Sequence, residues 1–324
     1  MSRVLITGVT GFIGSNLARL LRKEGYEVYG LVRHISRSLV RYLEEGMQDV
    51  RFVQGDLTSY HSVRNAIASC KPDVIAHLGA LTPVRYSFVT PFPYVSINYE
   101  GTMNVVHSVL EVMPKARVLV ASTAEVYGWQ GKEPLGETVP LYPSSPYAVS
   151  KAAADLYVQM SIKNYGLDAI VFRCNNTYGR VGEGGFLTEY VIDAMLRSQP
   201  VYVGAPDHVR EYMYVDDHVN AYFLGMKSAN VNSRVFNVSP GVPVSNIKLT
   251  EELAKMTGYR GEIIKGKYPP NYPLRLIQWD TEHIVLDASR IRKELGWHPS
   301  VTLQEGLGKT VERWRKHVDN ATNA

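Results

Sequence analysis

The stretch Arg3–Lys23, RVLITGVTGFIGSNLARLLRK, decides the fold. Arg3–Thr7 is rich in β-branched and leucine side chains, and from Phe12 onward the apolar residues (Phe12, Ile13, Leu17, Leu20, Leu21) recur at helical spacing. Between the two lies a turn punctuated by Gly8, Gly11 and Gly14. A strand that enters such a turn and leaves as a helix lets the backbone come close to a pyrophosphate lying on the helix N-terminus. The spacing is G-x-x-G-x-x-G, distinct from the ordinary G-x-G-x-x-G dinucleotide fingerprint. Gly8, Thr10, Gly11, Phe12, Ile13 and Gly14 are the candidate contacts of this turn with a cofactor.

Working outward, short apolar runs at 3–7, 27–32, 50–54, 73–78, 117–122 and 168–173 read as strands. Helical patterns at 12–24, 60–69, 94–112 and 147–165 separate most of them. Nearly continuous apolar strands alternating with helices predict an α/β fold, a Rossmann-type doubly wound parallel sheet covered on both faces. Beyond about residue 175 the pattern loosens into loops bearing glycine and proline (GRVGEGG, SPGVPVS, KYPPNYPLR). This predicts a cofactor domain over 1–175 and a smaller C-terminal substrate-binding domain over 176–324, with the chain crossing between them.

The 324 residues suffice for a large core, and 45% hydrophobic with 20% charged content is that of an ordinary globular chain. A formal charge of +4 gives no basic stripe, so a nucleic-acid partner is not expected. Cys70 and Cys174 have no metal-ligand spacing around them, so no metal site is expected and a reducing cytoplasm is the default. The early glycines and the arginines at 19 and 22 argue against a signal peptide, and no apolar run predicts a membrane span.

Two further stretches bear on the cofactor. The second strand ends in LVRHISRS, where an NAD-binding chain usually has an acidic residue for the ribose 2′-hydroxyl. Arg33 and Arg37 stand there instead, and cations suit a 2′-phosphate, so NADP is favoured with NAD as the alternative. Asp56 and Leu57, in GDLTS after the third strand, are candidates for the adenine end.

In SSPYAVSK, Tyr147 and Lys151 stand four residues apart at the start of a helix, which puts both on one face. A free tyrosine ionises near pH 10, so its use as a base at neutral pH requires closing a gap of about 4 kcal/mol. A neighbouring ammonium and a positive nicotinamide ring both favour the phenolate. Ser122 and Thr123 end the strand at 117–122 and complete the polar set.

With these residues in place, the chain resembles an extended short-chain dehydrogenase/reductase of the nucleotide-sugar epimerase and dehydratase group. GVTGFIG, GDLTS, INYEGTMNVV, STAEVYG, SSPYAVSK, RCNNTYG and REYMYVDDHV occur in family order, and DASRIRKELGWHPSVTLQEGL also fits. The resemblance implies a nucleotide-diphosphate sugar substrate and a homodimer formed through two long helices per subunit, here 94–112 and 147–165. It implies that Tyr147 removes the sugar 4-hydroxyl proton as hydride leaves C4, that Thr123 holds the 4-oxygen, and that Lys151 holds the nicotinamide ribose and depresses the tyrosine. It places Asn176, Arg210 and Arg275 at the sugar diphosphate.

Glu125 separates the activities within the group. A 4-epimerase needs no carboxylate at C5, whereas a 4,6-dehydratase needs a base there to take the proton acidified by the C4 ketone before the 6-hydroxyl leaves. Glu125 stands where the resemblance puts that base. The group's dehydratases have Thr-Asp-Glu or Thr-Ser-Glu, and this chain has Thr123-Ala124-Glu125, so residue 124 offers no acid for the leaving group. The expected activity is an NADP-dependent nucleotide-sugar 4,6-dehydratase, with 4-epimerase as the alternative and UDP-glucuronate decarboxylase or a non-catalytic NADP sensor behind it.

Overall fold

The computed structural model describes residues 2–35, 47–182, 185–229, 231–270 and 281–322. Arg37 and Arg275 lie outside the described residues.

The opening stretch forms β1 (Arg3–Thr7) and α1 (Phe12–Lys23). β2 (Glu27–Val32), β3 (Arg51–Gln54), β4 (Val74–His77), β5 (Arg117–Thr123) and β6 (Ala169–Cys174) follow as read from the sequence, within a residue or two at their ends. With β10 (Val235–Val238) from the second half of the chain they build a seven-stranded sheet in the order β10-β6-β5-β4-β1-β2-β3, every pair parallel. β4 and β6 are buried along their whole length, as strands covered on both faces must be.

One face carries α2 (Tyr60–Cys70), α3 (Gly101–Val112) and α4 (Pro146–Tyr165), which pack on one another in that order. α4 starts where Ser145 accepts a hydrogen bond from Ala148 N and Pro146 takes the first turn, and it stops at Gly166 in the left-handed region (φ +68°). The predicted helix 94–112 is not uniform. Val95–Glu100 is wound as a π-helix before regular α3 begins. The wider turn carries buried Asn98 to the Leu81 backbone, which it meets through Leu81 N (2.8 Å) and Leu81 O (3.0 Å).

α5 (Leu187–Leu196), α6 (Val215–Lys227), α7 (Asn246–Thr257), α8 (Ser289–Leu295) and α9 (Leu303–Thr322) belong to the second half of the chain. Its strands β7 (Asn176–Tyr178), β9 (Val209–Tyr214) and β11 (Pro243–Ser245) make a small sheet in the order β11-β9-β7, and β8 (Val201–Val203) pairs with β12 (Ile263–Lys265). β10 (Val235–Val238) leaves this region to join the large sheet beside β6, and α6 packs on α1. Asp217 on α6 anchors the late ELGWHPS segment through Ser300 N (2.8 Å), the Ser300 hydroxyl (2.6 Å) and Val301 N (3.1 Å). Among the described residues no helix is long and apolar enough to cross a membrane, and no cluster of side chains could hold a metal ion.

Candidate active site

A cavity of about 620 Å³ opens at the carboxyl ends of β4, β5 and β6. This is where open α/β sheets receive ligands, beside the point at which strand order reverses around β1. Thr123, Glu125, Tyr147, Lys151, Asn176 and Arg210 all line it, together with Ile13 from the glycine turn.

Tyr147 and Lys151 project from the first turns of α4 toward the end of β5, both buried. Burial pushes the Tyr147 phenol above its ordinary range, a hydrogen bond with Thr123 opposes this, and the nearby Glu125 carboxylate adds to the rise. The Lys151 ammonium donates to the Ala121 carbonyl, and burial lowers this amine to about 8, opposed by the charge of Asp155. Burial is thus the largest influence on the phenol, with Thr123 as its direct partner.

Glu125 leaves β5 in the tight turn Ala124–Tyr127, where its backbone N–H donates to Thr123 Oγ1 (3.3 Å). Its Oε2 is buried with no hydrogen-bond partner among the described residues. A buried carboxylate oxygen without a donor is costly, which is the condition of a group arranged for a ligand. Ala124 packs among Val126, Leu135 and Ile284 in an apolar cluster, and a neighbour able to protonate a leaving oxygen is missing at that position.

Behind this set the polar groups are fully engaged. Asp155, one turn past Lys151, receives a two-pronged contact from Arg173 (2.9 and 3.0 Å) and the Ser122 hydroxyl (2.7 Å). Arg173 also reaches the Tyr127 hydroxyl (2.9 Å), which donates to Asn237 (2.7 Å) on β10. Asn98 bonds the Ser150 hydroxyl (3.0 Å), tying the π-turn to α4 between Tyr147 and Lys151. These connections fix the angle at which α4 presents its two residues.

At the cofactor end, Gly8 has φ +69°, and a Cβ there would lie 2.8 Å from the Gly79 backbone; a Cβ on Gly14 would lie 2.2 Å from Gly8 O. Side chains are therefore excluded at both positions. Gly11 caps α1 without a side-chain hydrogen bond, which leaves the first-turn N–H groups for an anion, and Thr10 beside it is exposed. These features fit a dinucleotide pyrophosphate. Arg33 is exposed just past β2, near Asp56, whose carboxyl is lowered chiefly by the Thr58 N–H (2.9 Å). Leu57 packs against Gly79 and Gly101, and its carbonyl accepts from Asn104.

At the other end, Asn176 is exposed on β7, while Arg210 on β9 is buried and donates to Val209 O (2.8 Å) and Thr281 O (2.6 Å). Sequence reasoning missed several cavity residues: Arg85, Arg180, His218 and Tyr222. His218 lies within REYMYVDDHV, but a histidine one turn into a helix gives no local sign that it faces a cavity. Arg180 sits between the rings of Phe12 (4.4 Å) and Phe186 (3.9 Å), a pairing that only the fold creates.

Residues 5–310 match the GDP-mannose 4,6 dehydratase family. A UDP-glucose 4-epimerase of Mycolicibacterium smegmatis is 33% identical over 97% of this chain and 98% of its own length. A Thermotoga maritima UDP-glucose 4-epimerase solved with UDP-glucose superposes with a TM-score of 0.86 at 28% identity, covering 98% of this chain and 99% of that one. A dTDP-glucose 4,6-dehydratase from Streptomyces venezuelae, solved with NAD and TYD bound, gives 0.84 at 28% identity, covering 98% of each. With a Rossmann-type sheet, a Thr–Tyr–Lys set at its carboxyl edge and relatives aligned over nearly the whole chain, this protein belongs to the GDP-mannose 4,6 dehydratase family, among the nucleotide-sugar enzymes of the short-chain dehydrogenase/reductase superfamily.

Proposed function

We propose that the protein is an NADP-dependent 4,6-dehydratase that converts a nucleotide-diphosphate hexose to its 4-keto-6-deoxy form. The observation that carries this reading is Glu125, a carboxylate with a buried, unpartnered oxygen in the cavity, two residues past Thr123. A bound nicotinamide would supply the hydride acceptor and, later, the hydride donor. In this reading Tyr147, lowered against the effect of burial by the positive charge that a bound nicotinamide would bring, takes as phenolate the proton of the sugar 4-hydroxyl while Thr123 holds that oxygen. Lys151 holds the nicotinamide ribose, and Glu125 takes the C5 proton. With alanine at 124, Glu125 or a water delivers the proton to the departing 6-oxygen. Asn176 and Arg210 hold the diphosphate; Arg275 is kept in that role and Arg37 beside Arg33 at the 2′-phosphate as proposals from the sequence alone.

The second reading is a 4-epimerase, favoured by the 33% identity to the mycobacterial UDP-glucose 4-epimerase. Incubation with GDP-mannose, dTDP-glucose, UDP-glucose, CDP-glucose and UDP-glucuronate, followed by mass measurement, separates the readings. Loss of one water without net NADPH consumption is the expected result. Unchanged mass with inverted C4 would establish the epimerase instead. In Glu125→Gln, C4 oxidation should persist while water loss falls by about 10²–10⁴-fold, the usual worth of a positioned base; normal turnover would remove Glu125 as the base. Arg33→Ala should weaken NADP about tenfold more than NAD, as expected for one charged hydrogen bond, and equal losses would remove the 2′-phosphate argument.

The division of labour proposed is a cofactor domain over 1–175 and a sugar-nucleotide domain over 176–324. Val95, Val149, Leu156 and Tyr165 are exposed on neighbouring helices, which supports pairing of two copies through them as a homodimer. Both cysteines are free and buried, in keeping with a cytoplasmic protein.

A further inference from the structure

His218 is a buried histidine that the reading above leaves without a task. It is 7% exposed, lines the cavity from the first turn of α6, and its Nδ1 lies 2.6 Å from Thr177 Oγ1. Thr177 has a single hydroxyl hydrogen, which it donates to Asn175 O (3.3 Å). With that bond made, Thr177 accepts from the ring, so Nδ1 carries the hydrogen and Nε2 is a bare acceptor. Burial, and then the neighbouring Arg180 charge, lower the imidazole to about 3, so the ring is neutral at physiological pH. Nε2 is buried and has no hydrogen-bond partner among the described residues. The Asp217 anchor to Ser300 and Val301, one residue earlier, holds this turn of α6 in place.

The surroundings say which donor it awaits. Tyr222, one turn on, stacks on His218 (5.5 Å, 15° between planes), and the Tyr222 hydroxyl lies against the Cys174 thiol. Cys174 and Tyr222 both lie near enough to Tyr147 to act on it electrostatically, and all three line the cavity. On the other side Arg180, near His218, stacks on Phe12, the first residue of α1. His218 thus stands between the end of the glycine turn and the candidate tyrosine base. On the cofactor reading given above, the nicotinamide ring must occupy that interval, and its strong donor is the carboxamide amino group. We infer that His218 Nε2 accepts a hydrogen bond from the nicotinamide carboxamide and so fixes which face of the ring is turned toward Tyr147. A sugar hydroxyl is the other donor that could reach the cavity, and the experiment separates the two.

Equilibrium dissociation constants are measured for the full-length protein with NADP⁺ and NAD⁺, with the 3-acetylpyridine analogue of each, which keeps the carbonyl but has no amino donor, and with the corresponding ADP-ribose. Wild type should bind the carboxamide form about tenfold more tightly than the acetyl form, the worth of one buried hydrogen bond. In His218→Leu that ratio should fall to about one while ADP-ribose binding stays within about twofold. An unchanged ratio in His218→Leu overturns the inference. So does a variant that keeps the ratio but loses affinity for GDP-mannose or UDP-glucose, which would assign His218 to the sugar. If His218→Leu also loses ADP-ribose binding, His218→Gln, whose amide oxygen can accept, decides. A ratio kept near ten supports the inference and a ratio near one overturns it. Wild type that binds neither NADP⁺ nor NAD⁺ would instead sink the cofactor reading on which this rests.

Discussion

Two groups of buried polar residues lie within a few side chains of each other and are built on opposite plans. Behind β5, Asp155, Arg173, Ser122, Tyr127 and Asn237 consume one another's hydrogen-bonding capacity. On the cavity wall, Glu125 Oε2 and His218 Nε2 are just as hidden from water and have no partner among the described residues. Burying a polar group is expensive in either case, but the first group recovers the cost within the protein and the second can recover it only from a ligand. The difference separates the residues that brace the site from the two proposed to meet a ligand in it. Residues close in sequence fall on opposite sides of it: Ser122 donates to Asp155, whereas Glu125, three residues on, has an open Oε2.

The largest effect should come from breaking the closed group. Asp155→Ala leaves the Arg173 guanidinium buried without its carboxylate and should cost about 3–5 kcal/mol in urea unfolding. A loss below about 1 kcal/mol would mean that the pair is not the clamp it resembles. Acid provides the next test, because His218 has a closed counterpart in His77 on β4, also buried and neutral. His77 is satisfied at both nitrogens, by Thr7 (2.8 Å) and Thr102 (3.0 Å), whereas His218 is satisfied at one. Burial lowers both to about 3, with Lys151 adding to the effect at His77 and Arg180 at His218. A folded-state value below the unfolded one gives stability that is present above about pH 6.5 and lost as pH falls toward 3. Each histidine should therefore cost about 2 kcal/mol on going from pH 7 to pH 5, and His218→Leu should remove its share of that sensitivity. The smallest effect should be that of Glu125→Gln on stability, within about 0.5 kcal/mol, because no internal bond is lost. A large destabilisation there would move Glu125 into the closed group and weaken its claim as a base.

Much of this was legible in one dimension. The strands β1 to β6 and the helices between them follow from apolar periodicity, which is local and strong in a parallel sheet buried on both faces. The glycine turn and the Tyr147–Lys151 pair were readable for the same reason: each depends on spacing within one or two turns of chain. The π-turn at Val95–Glu100 was not, because it is stabilised by Asn98 reaching Leu81 and Ser150, contacts set by tertiary packing. The sequence expectation is that Lys151 and a nicotinamide ring together favour the phenolate of Tyr147. What the fold adds is that this ammonium donates to the Ala121 carbonyl and that burial is the largest influence on the phenol.

The sequence by itself determined the strands β1 to β6, the glycine turn, the Thr–Tyr–Lys set and the presence of a carboxylate at 125, since all are short-range patterns with a steric or chemical reason. Only the tertiary structure decided which buried polar atoms are left open. A side chain's partners come from β6, β9, β10 and α6, separated along the chain by tens of residues, and whether a hydrogen-bonding group is paired is a property of that assembly and not of its neighbours in sequence.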